Sequence, residues 1–365
     1  MTPTELYNLI SESEGVPMQE LNPLQYELMQ IAGRVDIKKD TDQVVPSEVS
    51  AITTSVERSL AEKQNTLVEA KQKRGQADEF VQESRSQALQ VGNLNKRVRT
   101  IIDICRKQYN QQLIDESVDN LITFRALYSF SLGLLGELAE IDHTHLSRQS
   151  LEELITSDHF NPTDYKKAEI ALARARANKN SNSIFIARDF ALTVGNEDQR
   201  VEILTDIAVY TKDQSDIAVA MEELGYSTDF DARVSGYLKI ASIGGQPEAL
   251  KRALQFIEEM DASDNNEVFN ISLAEYAGTL AEYGDIEGAL LYAEEAADFG
   301  GAALARIIPI IFAQGDEAKA NSLLAKLTKP QDRARALAAL AKILYEQADT
   351  LEKDITQPSI SESPS

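Results

Sequence analysis

The chain has 365 residues, 43% of them hydrophobic and 6% aromatic, with no Trp and a single Cys. Such a length supports two ordinary domains or one extended array, and the lone cysteine excludes an internal disulfide. A net charge of −23 argues against a nucleic-acid partner, because phosphate binding needs clustered Lys and Arg.

Residues 1–46 hold two short amphipathic candidates, Glu5 to Ser11 and Leu24 to Ile31, followed by a polar linker. The opening MTPTELYNLISESEG lacks the basic start and apolar run of a signal peptide. A cytoplasmic protein is expected, with secretion independent of a signal peptide as the other route.

From Ser47 to Tyr109 the residues Val56, Leu60, Leu67, Ala70, Ala77, Val81, Ala88 and Val91 follow three-and-four spacing, which predicts long paired helices. Gly75 or Gly92 marks a helix end. Lys71, Lys73, Arg74, Lys96, Arg97 and Arg99 make the segment basic, and a hairpin over 47–110 offers a route to a homo-oligomer. Val98, Ile101, Ile102 and Ile104 continue the apolar face, so Cys105 reads as a buried structural thiol. Ala126 to Leu138 is hydrophobic on every side yet too short to span a bilayer, which takes about 20 apolar residues.

The polar connection EIDHTHLSRQS comes next. His143, His145 and His159 lie beside Glu140, Asp142 and Asp158, ligand types that suit zinc or another divalent ion. The reading preferred for the same residues is a polar joint between helices, its histidines solvated or capping a helix end. Ser150 with Glu153 predicts a capping box at a helix start. Asn161-Pro162-Thr163-Asp164 opens a further helix, and KNSNS at 179–183 separates two more. No stretch alternates as strands do, so the fold class is all-α.

The second half repeats. Asp198, Arg200 and Val201 align with Asp231, Arg233 and Val234, and Ile207-Ala208 with Ile240-Ala241, at an offset of 33. The break at Lys212-Asp213 matches Gly245-Gln246, then Gly284-Asp285 and Gly315-Asp316. Each unit reads as helix, tight turn, helix: glycine closes the first helix and aspartate caps the second. Ala249, Ala289 and Ala320 let the paired helices approach. One such hairpin cannot cover its apolar stripe, whereas stacked hairpins can. The spacing and the Gly-Asp-x-x-x-Ala pattern (Gly284 to Ala289, Gly315 to Ala320) resemble degenerate tetratricopeptide-like repeats over roughly 185–350. No binding residue carries over from that family.

The expected organisation is therefore an N-terminal cap and linker (1–46), a long-helix hairpin or bundle (47–145), an α-solenoid of stacked helix-turn-helix repeats (146–350) and a disordered Ser/Pro-rich tail (351–365). No nucleophile elbow or phosphate loop is present. The expected function is a non-enzymatic interaction scaffold without cofactor, binding a protein or peptide on its repeat surface. Between Glu222 and Asp298 there are 17 acidic residues against four basic ones, a surface that suits a basic partner segment. Tyr210, Tyr237, Tyr276 and Tyr283 are the contact candidates, as tyrosine offers area and a polar tip. A metal-binding protein or metal-dependent enzyme built on His143, His145 and His159 is the alternative, and a secreted bacterial effector or chaperone the next.

Overall fold

The structure, a computed structural model, describes residues 46–356 except 124–127, 143, 145, 156–162 and 261–266. Among the described residues there are sixteen α-helices and no strand. The long α1 (Pro46–Leu89) precedes α2 (Leu94–Lys107), α3 (Gln111–Thr123), α4 (Tyr128–Ile141) and α5 (Leu146–Ile155). Then come α6 (Asp164–Asn178), α7 (Ser181–Thr193), α8 (Glu197–Thr211), α9 (Gln214–Tyr226), α10 (Phe230–Ala241) and α11 (Pro247–Glu259). The last are α12 (Glu267–Glu282), α13 (Ile286–Glu295), α14 (Gly300–Ala313), α15 (Glu317–Leu324) and α16 (Pro330–Thr356). Helix α1 runs unbroken through Gly75 and ends before Gly92. None of these helices is long and apolar enough to cross a membrane.

The described residues form two compact units, one of 46–76 with 344–356 and one within Ala77–Ile343, so α1 and α16 each contribute to both. In the first, Ala70, Leu344 and Ala348 are buried. Arg74 donates to both oxygens of Glu352 at 2.9 and 2.8 Å and to Asp349 at 2.7 Å.

The second unit is a succession of hairpins, compatible with a helical-repeat fold. The turn chemistry behaves as its residues dictate. Gly284 and Gly315 take φ of +95° and +92°, a left-handed conformation that only glycine adopts without strain. The aspartate after each then caps the next helix: Asp285 accepts from Gly288 N–H at 2.8 Å and Asp316 from Lys319 N–H at 3.0 Å. Lys212 does the glycine's work at φ +55°, and Asp213 caps α9 through Ser215 N–H. The remaining break, Gly244-Gly245-Gln246, has no side-chain cap and relies on Pro247 at the helix start. Ala249, Ala289 and Ala320 are fully buried between paired helices.

One expected start moves. Ser150 lies inside α5, which begins at Leu146, five residues before the Leu151 start that a cap at Ser150 would set, with Asp142 accepting Ser147 N–H at 2.7 Å in its first turn. Ser150 and Glu153 therefore form no capping box.

Even-numbered helices pack on one another in order, α4 on α6, α8 on α10, α12 on α14. An arginine recurs as the fourth residue of α2, α8, α10 and α16 and reaches back to a carbonyl at the end of the preceding helix. Arg97 bonds Val91 O at 2.7 Å, Arg200 Val194 O at 3.1 Å, Arg233 Gly225 O at 3.3 Å and Arg333 Leu324 O at 3.2 Å. These guanidiniums satisfy helix-end carbonyls that lack an intrahelical partner.

The succession closes on itself. Arg335 of α16 donates to Asp103 of α2 at 2.8 Å, Ser84 of α1 to Ala334 O at 2.8 Å, and Arg333 to Glu83 at 2.6 Å. Ala334 and Ala338 share one apolar cluster with Val98, Ile101, Leu113, Leu138 and Leu151. Each buried Leu or Ile there contributes about 1.5–3 kcal/mol, and Cys105 lies in the same cluster.

Candidate functional site

The even-numbered helices carry ionisable side chains that pair from one hairpin to the next. Tyr165 of α6 donates to Glu202 of α8 at 2.9 Å, and Lys239 of α10 pairs with Asp206 of α8 at 2.9 Å. Arg306 of α14 pairs with Glu282 of α12 at 2.9 Å and also bonds Thr279 Oγ1 and Glu275 O. On α2, Arg106 pairs with Glu137 of α4 at 3.1 Å on one side, while Asp103 meets Arg335 on the other. Neighbouring first helices are thus laced by opposite charges along one face.

Arg99 stands one turn before Asp103 on α2, exposed, and its charge acts on both Lys239 and Glu275. Lys107 lies farther along α2; burial pushes its ammonium pKa down, Asp103 opposes this, and Arg335 and Arg306 add to it. Lys239 moves the other way, held charged chiefly by Asp206. Burial raises the Glu275 carboxyl against the pull of Arg306, Lys239, Arg99 and Arg335. Yet Glu275 and Lys239 are both exposed, the Lys239 side chain by 43%. Water reaches these groups, while charges from several helices act on each of them.

The four tyrosines fall elsewhere. Tyr237 is fully buried, its ring stacked on Phe256 of α11 with centroids 5.8 Å apart. Tyr276 is 5% exposed and meets Tyr292 of α13 edge-on. Neither leaves ring area for a partner in this conformation. Tyr210 and Tyr283 are half-buried and fasten one hairpin to the previous one: Tyr210 Oη donates to Ala175 O and Tyr283 Oη to Ala241 O, both at 3.0 Å. Tyr283 also accepts Gln246 N–H at 2.9 Å. The ionic face was missed in the sequence, although acidic and basic residues at the sixth and tenth positions of these helices (Arg99 and Asp103, Glu202 and Asp206) mark it.

His143, His145 and His159 lie outside the described residues. Their neighbour Asp142 is committed. Its Oδ1 accepts from Thr144 N–H, Thr144 Oγ1 and Gln111 Nε2, and its Oδ2 from Ser147 N–H. Burial alone would raise its pKa; the bonds from Ser147 and Thr144 overcome that and hold it down at about 2. Among the described residues no group of three His, Cys, Asp or Glu could hold a metal ion. Cys105 is buried, and burial pushes its thiol up to about 11. Comparison of the chain with protein-family models, curated proteins and solved structures finds no match.

Proposed function

We propose that this chain is a non-enzymatic adaptor of tetratricopeptide-like type that seats a partner protein or peptide on the inner face of its first helices. What supports this reading is that exposed charged groups from separate hairpins, Arg99, Glu202, Lys239 and Glu275, act on one another's charge. Repeat proteins commonly use concave faces for binding, and spaced single charges of both signs favour a polypeptide over a dense polyanion.

The test uses the full chain with a photo-crosslinking residue in place of Glu275 inside or Lys251 on α11. The same protein should be captured at near-equal stoichiometry from the inner position and not from Lys251. Capture from Lys251 alone, or from neither in the native cell, contradicts the reading.

A further inference from the structure

The outer helices of the hairpins are not alike. Helix α11 turns Lys251, Gln255, Glu258 and Glu259 to water, and α15 exposes no large apolar side chain. In contrast, Phe185 of α7 is 69% exposed and Leu192 60%, and on α9 Tyr226 is 67% exposed and Val219 39%. Phe185 and Leu192 stand seven residues apart, as do Val219 and Tyr226, so each pair forms a two-turn stripe about 10 Å long on one helix face. One ion pair links the two helices. Arg188, between Phe185 and Leu192, donates to both oxygens of Asp216 at 2.7 and 2.6 Å, and Asp216 stands one turn before Val219. Apolar surface of this kind left in water marks an interaction site.

Charge indicates what covers it. From Phe185 to Phe230 the chain carries ten acidic residues against three basic ones, and two of the three, Arg188 and Arg200, are spent on Asp216 and Glu223. Asp189 on α7, Asp213 at the cap of α9 and Glu222 on α9 are exposed. A partner must therefore be apolar along its middle and positive along its flanks.

We propose that the α7–α9 face docks an amphipathic helix of a partner protein, its apolar ridge on Phe185, Leu192, Val219 and Tyr226 and its Lys and Arg side chains against the acidic border. Helices dock this way through anchors at i, i+3 or i+4, and i+7. This surface lies on the odd-numbered helices and is separate from the inner face, so it extends the adaptor reading rather than depending on it.

The test is fluorescence anisotropy of the full chain with a labelled Leu/Lys model peptide, LKKLLKLLKKLLKL. A scrambled peptide of equal composition and a Leu/Glu version serve as controls. The ordered Lys peptide should bind at least about tenfold more tightly than either, and Phe185→Ser with Leu192→Ser should weaken it by about tenfold or more. Leu291→Ser on α13, 57% exposed, should leave binding unchanged. Because all three positions are exposed, circular dichroism should show the fold retained. Equal binding of the scrambled peptide, or indifference to the α7 substitutions, overturns the proposal. So does a wild-type dimer in light scattering that Phe185→Ser with Leu192→Ser abolishes, which would assign the face to a second copy of the chain.

Discussion

Asp142 is 2% exposed in the joint between α4 and α5, with both carboxylate oxygens accepting hydrogen bonds, so the fold rather than water holds its charge. Its pKa is depressed from 3.8 to about 2, so it stabilises the folded state above the unfolded pKa and loses that contribution as pH falls through about 2. Asp142→Asn should lower stability at neutral pH by on the order of 2 kcal/mol, and the gap to wild type should shrink as pH falls from about 4 to 2. Urea midpoints of both proteins across that range check this; curves that stay parallel contradict it. For Cys105, a thiol pushed up to about 11 by burial should resist Ellman's reagent at pH 8 in the native protein and react at once in denaturant. Labelling of the native protein at the rate of a free thiol contradicts the burial. The thiol was legible, because the apolar run IIDIC surrounds it. Asp142 was not. One donor is Gln111, on another helix, and the competing pair Ser150 and Glu153 has the spacing of a capping box while lying inside a helix.

Among the helices and their joints, backbone conformation separates glycines that composition treats alike. A methyl group would meet nothing within 4 Å at Gly75, Gly284 or Gly315. Gly284 and Gly315 have positive φ, however, while Gly75 is inside α1. Gly284→Ala or Gly315→Ala should therefore cost about 1–2 kcal/mol, whereas Gly75→Ala should stabilise α1 by up to about 1 kcal/mol. Thermal melts of the three variants decide it; equal shifts of one sign would remove the conformational argument. The Gly-Asp breaks were readable because turn and cap are both local chemistry. Lys212, left-handed without being glycine, was visible only through its register with the other breaks. The alignment of Arg200 with Arg233 was also readable, but not its purpose, since the carbonyl each bonds lies beyond its own helix. Helix α14 runs through Pro309, a residue that usually ends a helix, and its buried Ile307, Ile308, Ile311 and Phe312 hold it there by packing.

At the largest scale, that of the second unit, successive stacking followed from the apolar stripes, but the return of the Pro330–Ile343 part of α16 to α2 did not. The contacts that close the second unit join residues 232 and 250 positions apart, Arg335 to Asp103 and Ser84 to Ala334 O, and no periodicity connects them. The Arg335–Asp103 pair is partly exposed, at 29% and 38%, so its coupling in a double-mutant cycle of Asp103→Asn and Arg335→Gln should be under about 1 kcal/mol. A much larger coupling would mean that this pair, and not the apolar seam around Ala334 and Ala338, carries the closure. The seam itself gives the decisive test. Hydrogen exchange of the wild type and of Ala338→Asp should show α2 (Leu94–Lys107) losing protection together with the Pro330–Ile343 part of α16, while α8 and α10 keep theirs. If α2 stays as protected as in the wild type while only α16 and its sequence neighbours α14 and α15 open, the hairpins form an open row and the closed account fails.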